Sequence, residues 1–289
     1  MHSAEADRHQ EASLLRGGLL VLFTVVLVGC SAVPPAMQRI HSAERLASAH
    51  GWHPATLDTD SFEIRAFVQD HPAPEKRLTV YIEGDGLAWE TLTKISEDPT
   101  PTQLMGLKLA LNHPDGNAAY LARPCQFVKD LNPRCRPPVW TGGRFSSDVV
   151  QSMNEATSEL KAIYGASQIE LVGYSGGGAI AALVAAQRTD VVRLITIAGT
   201  LDHKVWTEYH NVTPLHGSLN PADFWQALRQ VPQVHLVGGS DTSVPKAVVE
   251  SYLSRFPPGQ RPPLEVIHDF DHLCCWDRDW RQLYPRMAD

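Results

Sequence analysis

The chain has 289 residues, of which 43% are hydrophobic and 20% are charged. That balance is typical of a soluble globular protein, and the length suffices for one large domain with a sizeable core. The formal net charge of −7, without any basic stripe in the sequence, argues against nucleic acid as a partner.

An uncharged apolar segment lies near the N-terminus. Gly17 to Gly29 follows Arg16; it is short for a bilayer span but fits the hydrophobic region of a signal peptide. It ends in Leu27-Val28-Gly29-Cys30, which resembles a bacterial lipobox, the motif whose cysteine is acylated and becomes the new N-terminus. We therefore predict a lipoprotein signal peptide over residues 1–29 and lipidation at Cys30. An uncleaved membrane anchor is the alternative.

The lipobox resemblance also implies a location. Such proteins are anchored by lipid in the bacterial cell envelope, and the non-acidic Ser31 favours the outer membrane, facing the periplasm. Glu5, Asp7 and Glu11 depart from the usual start of a signal peptide, so a start codon downstream of Met1 is an open alternative.

We predict a tether with a short helix over residues 30–55 and one domain over residues 56–289. Phe62–Val68 alternates between apolar and polar residues, which predicts a half-buried antiparallel strand. Leu78–Ile82 is almost continuously apolar, which predicts a central strand. Further strands are predicted at Ala118–Leu121, Ile169–Val172, Val191–Ile197, Val234–Val237 and Leu264–Ile267, with helices near 102–112 and over Ser147–Tyr164. This alternation predicts an α/β fold, with a mostly parallel sheet covered by helices on both faces.

One connection is longer than the others. Residues 199–233 are rich in Trp, His, Pro and Asn and predict an irregular segment with one short helix near 221–230. We expect this short, cap-like insertion to lie above the carboxyl ends of the strands, where open α/β sheets bind their substrates.

The stretch IELVGYSGGGAIA contains the pattern G-x-S-x-G around Ser175. An apolar strand enters it and a strong helix leaves it, which is the context of a nucleophile elbow. Gly173 and Gly177 permit close approach of neighbouring chain segments, and the turn directs the Gly176 amide toward a developing oxyanion. A glycine-rich turn with an ordinary capping serine is the structural alternative.

A serine nucleophile needs a base, and the chain order Ser, Asp, His expected of an α/β hydrolase is present. Asp241 follows the strand at 234–237, and His272 follows the strand at 264–267. We predict His272 as the base and Asp241 as the acid that orients it. His268 is the second candidate for the base.

Other residues compete for these roles. Asp269 and Asp271 are rivals for the acid, and Asp241 could instead cap the helix that follows it. Histidines of the insertion could line the pocket or be structural; they are His203, His210 and His216.

A second oxyanion donor is expected from the loop after the third strand, which reads Glu83-Gly84-Asp85-Gly86. The amide of Asp85 or Gly86 is the candidate. Because a carboxylate disfavours a nearby oxyanion, we predict that the Asp85 side chain turns away and bonds to the backbone or an arginine, with Arg123 as the candidate partner.

Export to an oxidising compartment predicts disulfides among Cys125, Cys135, Cys274 and Cys275. Three pairings are possible, and the ten-residue separation of Cys125 and Cys135 suits a local bond. A bond between the adjacent Cys274 and Cys275 would be strained, so separate partners or a reduced pair are equally compatible. Their spacing does not match a zinc cluster.

Seven stretches resemble α/β-hydrolase-fold serine hydrolases of a bacterial lipoprotein type: YIEGDGLAW, YLARPCQ, WTGGRFS, GYSGGGAIAALVAA, TIAGTLDH, GGSDTSVP and FDHLCCW. They lie between Tyr81 and Trp276, and we take the resemblance to extend over about residues 62 to 280. The resemblance implies hydrolysis of an ester, thioester or amide through an acyl-enzyme, with Ser175, Asp241 and His272 as the catalytic residues.

We therefore expect a carboxylesterase-like enzyme that acts on a small acyl substrate, without a metal or organic cofactor, and that contacts the membrane through Cys30. A peptidase or thioesterase on the same fold is the first alternative. A catalytically inactive envelope lipoprotein is the second.

Overall fold

The computed structural model describes residues 33–128 and 132–287. Cys30 and the predicted signal peptide lie outside the described residues. Within those two ranges, no helix combines the length and the apolar character needed to cross a membrane.

The described residues form one eight-stranded sheet. Its strands are β1 (Trp52–Asp58), β2 (Glu63–Gln69), β3 (Arg77–Ile82), β4 (Asn117–Leu121), β5 (Gln168–Tyr174), β6 (Val191–Ile197), β7 (Gln233–Gly238) and β8 (Leu264–Ile267). They lie in the order β1-β2-β4-β3-β5-β6-β7-β8. β2 pairs antiparallel with both β1 and β4, whereas all later pairs in that order are parallel. The prediction of a mostly parallel sheet is confirmed.

Helices cover both faces of the sheet. Those of the described residues are α1 (Ala36–Ser48), α2 (Met105–Leu111), α3 (Ser147–Ile163), α4 (Gly176–Ala185), α5 (His203–Tyr209), α6 (Trp225–Leu228), α7 (Lys246–Ser254) and α8 (Trp276–Leu283), with short 3₁₀ segments at Pro137–Val139, Pro221–Phe224 and Tyr284–Met287. One hydrophobic cluster contains the buried residues of α3 and α4, and a second contains those of α1, α2 and α8. Burial of these apolar stripes against the sheet supplies the main driving force for folding.

The sheet begins earlier in the chain than predicted. β1 starts at Trp52, inside the segment 30–55 that the sequence assigned to the tether and short helix. Only Trp52 and Leu57 are buried in this edge strand, so the strand lacks the strict two-residue alternation by which half-buried strands are identified. α1 lies in the remainder of that segment and buries Ile40, Ala43 and Ala47.

The insertion holds more helix than predicted. The expected helix near 221–230 is a 3₁₀ turn, Pro221–Phe224, continued by α6. A second helix, α5, precedes it and begins at the N-cap Asp202, whose side chain accepts from the Lys204 amide at 3.2 Å. α5 buries only His203 and Thr207, which leaves too little apolar periodicity to identify it from sequence.

The four predicted disulfide cysteines form two local pairs. Cys125 bonds to Cys135, which is the local bond that the spacing suggested. Cys274 bonds to Cys275, which is one of the arrangements that the sequence left open. With Cys125 and Cys135 already paired, these neighbours are each other's remaining partner within the described residues.

Candidate active site

Ser175 occupies a sharp turn between β5 and α4. Its backbone has φ 54° and ψ −122°, a left-handed conformation that costs a residue with a side chain on the order of 1–3 kcal/mol. Close packing makes this turn possible. A Cβ on Gly177 would overlap the carbonyl oxygens of Ile82 and Glu83, and a Cβ on Gly173 would overlap the Gly177 carbonyl. The predicted strand–turn–helix setting is therefore present around the serine.

Three predicted site residues form one hydrogen-bonded chain. His272 Nε2 lies 3.1 Å from Ser175 Oγ, and His272 Nδ1 lies 2.8 Å from Asp241 Oδ2. The Asp241 carboxylate is fully buried, whereas the His272 side chain is 19% exposed. A buried carboxylate that accepts from Nδ1 favours the tautomer that leaves Nε2 free to accept a proton.

Asp241 also performs the structural task that the sequence offered as an alternative. Its Oδ1 accepts from the amides of Ser243 and Val244, each at 2.8 Å, in the turn that leads to α7. The helix itself begins later, after Pro245. One oxygen thus holds the turn while the other meets His272, so the two interpretations are compatible.

Tyr174, the first variable residue of the G-x-S-x-G pattern, contacts His272 through both its hydroxyl and its ring. Its hydroxyl donates to the His272 carbonyl at 2.8 Å, and the two ring centroids lie 5.3 Å apart. Burial raises the pKa of the Tyr174 phenol, so the group remains a donor. No local pattern indicates this contact, because it joins residues 98 positions apart.

The rival residues lie elsewhere. His268 and Asp269 are exposed at the end of β8 and have no hydrogen-bond partner for their side chains within the described residues. Asp271 is exposed and turns back on its own loop, accepting from the amides of Leu273 and Cys274. These backbone hydrogen bonds lower the pKa of the Asp271 carboxyl.

The loop after β3 passes beside Ser175. A Cβ built on Gly84 would lie 3.4 Å from the Ser175 Cβ. Asp85 Oδ1 accepts from Arg123 Nη1 at 3.2 Å, and Asp85 Oδ2 accepts from Arg144 Nη1 at 2.5 Å. The carboxylate is thus held by two arginines, one of which is the predicted partner Arg123. The prediction that this side chain turns away from the site is wrong: Asp85 Oδ1 lies against Gly176, where an added Cβ would overlap it. Burial acts to raise the pKa of Asp85, but Arg144 and Arg123 outweigh it and hold that pKa below its usual value.

The candidate oxyanion donors belong to the loop after β3 and to the first residue of α4. Within the described residues, the amides of Asp85, Gly86 and Gly176 donate to no protein acceptor. Gly176 is also the first residue of α4, so the positive end of the helix dipole points toward Ser175. Asp85 lines the same cavity as Ser175. Gly86 is exposed, and a Cβ there would overlap the Pro99 carbonyl.

Glu83 anchors the base of this loop, a role that the sequence analysis missed. Its carboxyl accepts from the amides of Gly84 and Gly106 at 3.0 Å and from the Tyr120 hydroxyl at 3.2 Å. Burial raises the pKa of Glu83, while these hydrogen bonds act in the opposite direction. Gln126 adds a second anchor by donating to the Gly84 carbonyl at 3.1 Å.

A small cavity of about 180 Å³ opens above Ser175 and His272. Its remaining wall comes from the loop after β3, the loop before α3, the insertion and the turn before α7, and consists of Asp85, Arg144, Phe145, Thr200, Trp206, Leu215, Ser243 and Val244. The insertion therefore contributes to the site as predicted, but through Thr200, Trp206 and Leu215. None of its three candidate histidines lines this cavity: His203 is buried against Phe145, His210 contacts the Ser243 carbonyl at 2.9 Å, and His216 is exposed.

No protein-family model matches the sequence, and no curated protein resembles it significantly. Solved structures do share its fold. A bacterial membrane phospholipase A described as a virulence factor aligns with a TM-score of 0.52 and 16% identity, covering 88% of this chain and 91% of the other. An esterase from Pyrococcus furiosus aligns with a TM-score of 0.57 and 11% identity, covering 82% and 89%.

A third structure, an α/β serine hydrolase homologue from Coxiella burnetii, aligns with a TM-score of 0.53 and 14% identity, covering 82% of this chain and 95% of the other. Identities this low carry information about the fold alone. Together with the sheet order and the turn at Ser175, they show that this chain has an α/β-hydrolase fold.

Proposed function

We propose that the chain is a serine hydrolase that cleaves carboxylic esters through an acyl-enzyme. The observation that carries this proposal is the hydrogen-bonded series from Ser175 through His272 to Asp241, which opens onto a cavity. A hydroxyl on a strained turn, within proton-transfer distance of an oriented imidazole, is suited to nucleophilic attack on an acyl carbon. The hydrolases among the similar structures support the same class of reaction.

The reaction has two steps. Ser175 Oγ attacks the ester carbonyl carbon while His272 Nε2 takes its proton, and Asp241 stabilises the resulting imidazolium. His272 then donates the proton to the leaving alkoxide, and the alcohol departs. In the second step His272 Nε2 takes a proton from water, whose oxygen attacks the acyl carbon. His272 then returns this proton to Ser175 Oγ as the bond between Oγ and the acyl carbon breaks, which releases the carboxylic acid and regenerates the enzyme.

Backbone amides stabilise the oxyanion in both steps. The amide of Gly176 is one donor, and the loop Gly84–Gly86 supplies the other. We assign the second donor to the Asp85 amide rather than to Gly86, because Asp85 lines the cavity and its amide has no acceptor in the described part of the chain. A lost oxyanion donor typically lowers kcat by about 10²–10³-fold.

A fluorophosphonate probe tests the nucleophile. The unmodified protein is expected to be labelled, and Ser175→Ala is expected to lose the label and the activity. Ser243→Ala is the matched control, because Ser243 also lines the cavity but its hydroxyl meets no imidazole in the described residues. Labelling that survives in Ser175→Ala, or is absent from the unmodified protein, would overturn the proposal.

The reaction class is tested with paired substrates. We expect hydrolysis of p-nitrophenyl acetate or butyrate, and far slower cleavage of short peptide p-nitroanilides. A strong preference for the amides would replace the ester reaction with that of a peptidase.

We further propose that the chain is exported, acylated at Cys30 and held at the bacterial outer membrane, facing the periplasm. The sequence from Gly17 to Ser31 supports this location. Expression in bacteria with radiolabelled palmitate should label the protein but not Cys30→Ser. Equal labelling of both proteins, or of neither, would contradict the proposal.

A further inference from the structure

Arg144 is an unexpected residue in the wall of the candidate active site. It lies in the loop before α3, had no predicted role, and lines the cavity together with Ser175 and His272. Arg144 is only 8% exposed. A charged group buried to this degree needs partners, and those partners fix its position.

Three contacts hold the guanidinium in place. Nε donates to the Thr141 carbonyl at 2.7 Å, and Nη1 donates to Asp85 Oδ2 at 2.5 Å. The ring of Trp206 lies over the guanidinium carbon at 5.8 Å. The group is therefore pre-organised, so a ligand that binds it loses little additional conformational entropy.

Asp85 does not account for both arginines. Arg123 pairs with its other oxygen, so two guanidinium groups share this one carboxylate. Glu83 acts electrostatically on Arg123 from the base of the loop, and Asp241 pairs with His272. Among the described residues, Asp85 is the one carboxylate that forms an ion pair with Arg144.

One nitrogen of Arg144 remains available. Nη2 donates to no acceptor in the described residues, and it is not among the polar atoms that are both sealed from solvent and unpaired. An N–H of Nη2 can donate a charge-assisted hydrogen bond to a carboxylate oxygen.

The size of the cavity limits what reaches this nitrogen. At about 180 Å³ it is smaller than the sites of drug-sized ligands, which occupy roughly 300–1,000 Å³. Phe145, Leu215 and Val244 supply apolar surface for a few carbon atoms.

We propose that the substrates of this enzyme are short-chain esters that carry a carboxylate, and that Arg144 Nη2 binds that carboxylate. This inference rests on the proposed function, since it assigns a substrate class to the same site. Arg144 is then a specificity-determining residue: it selects the substrate, while Ser175 and His272 perform the chemistry.

Two matched pairs of esters test the proposal. Monomethyl succinate has its carboxylate on the acyl side, and methyl levulinate replaces that carboxylate by a methyl ketone of nearly the same shape. O-acetylglycolate and acetoxyacetone form the same pair on the alcohol side. We expect kcat/KM to favour the anionic member of at least one pair by roughly ten- to hundred-fold, the range expected of a hydrogen bond to a charged group.

Variants separate recognition from support of Asp85. Arg144→Gln should reduce the anionic-to-neutral ratio to about one, and Arg144→Lys should restore part of it. Arg123→Gln is the control: it removes the other arginine from Asp85 and a hydrogen bond to the Arg144 carbonyl, but it keeps the Arg144 guanidinium in the cavity wall. Both rates should fall in this variant while the anionic-to-neutral ratio stays above one. If Arg144 only holds Asp85, Arg144→Gln slows both members of each pair equally and the ratio stays unchanged, which would overturn the proposal.

The unmodified protein alone decides the question if a variant does not fold. A ratio near one in both pairs would overturn the substrate class, and raising the salt concentration should lower a genuine preference because ions screen the charge. Hydrolysis of the neutral esters together with probe labelling of Ser175 would leave the proposed function standing in that case. If no ester is cleaved and Ser175 is not labelled, the proposed function fails as well.

Discussion

At the scale of single residues, Asp241 has two roles in the candidate site. Its buried carboxylate holds the turn before α7 through one oxygen and orients His272 through the other. An asparagine can keep the first interaction through its carbonyl oxygen. It cannot keep the second without presenting an N–H to His272, which reverses the tautomer of the imidazole.

We therefore expect Asp241→Asn to fold normally but to lower kcat by about 10⁴-fold, by analogy with the same change in serine proteases. Steady-state kinetics on a p-nitrophenyl ester and a circular dichroism spectrum measure the two effects. Asp271→Asn is the matched control in the neighbouring loop, where Asp271 accepts only backbone amides. A near-normal rate for Asp241→Asn would mean that another group orients the base.

At the scale of secondary structure elements, the approach of α4 to the end of β3 positions Ser175. The first residues of α4 are three consecutive glycines, and all ten of its residues are buried. At Gly177, an added Cβ would meet two backbone carbonyls, which have no flexible side chain to move aside. A methyl group there would push the helix away from the strand and from the loop Gly84–Gly86.

Gly177→Ala is expected to destabilise the protein by about 1–3 kcal/mol, the usual cost of overpacking a core. Thermal unfolding measures this effect, and the ester hydrolysis rate should fall with it because the oxyanion donors shift relative to Ser175. Gly142→Ala is the control: a Cβ there meets nothing within 4 Å, so we expect a change below about 0.5 kcal/mol. Equal unfolding temperatures for the two variants would be incompatible with the close helix–strand packing.

Elements with a strong local signal could be predicted from the sequence. The continuous apolar runs gave β3, β5 and β6, and the glycines around Ser175 gave the turn. β1 and α5 could not be predicted in the same way, because each buries only two of its seven residues. Their conformations depend on packing against other parts of the chain, which a local pattern does not contain.

The same distinction applies to the candidate site: some of its residues could be predicted from local sequence patterns and others could not. Ser175, Asp241 and His272 follow strands in a known chain order, so their proximity could be expected. The contact of Arg144 with Asp85 joins residues 59 positions apart, and nothing in the stretch WTGGRFS indicates it. The sequence did indicate that the Asp85 carboxylate needs a partner, the backbone or an arginine, because an unpaired carboxylate beside an oxyanion is unfavourable.

At the scale of the whole molecule, two histidines in different parts of the fold make the stability of the protein sensitive to acid. His235 is buried and His113 is partly buried. His235 on β7 meets Thr196 Oγ1 at 2.8 Å, and its Nε2 has no partner within the described residues. His113, after α2, lies 2.8 Å from the Tyr81 hydroxyl. Burial lowers the pKa of His235 to about 3 and that of His113 to about 4.

Stability should therefore fall as the pH drops below about 6.5, because the unfolded chain then protonates these histidines. The native state does not protonate them until about pH 4 for His113 and about pH 3 for His235. Each histidine lowers the free energy of unfolding by up to about 1.4 kcal/mol per pH unit in that window, and the effect is absent above it.

His235→Gln keeps a polar partner for Thr196 but cannot be protonated. Urea unfolding of this variant at pH 7, 6 and 5 should therefore show a shallower loss of stability than unfolding of the unmodified protein. His71→Gln removes an exposed histidine and should leave the slope unchanged. If His235→Gln loses stability with the same slope as the unmodified protein, burial of His235 is not a source of the acid sensitivity.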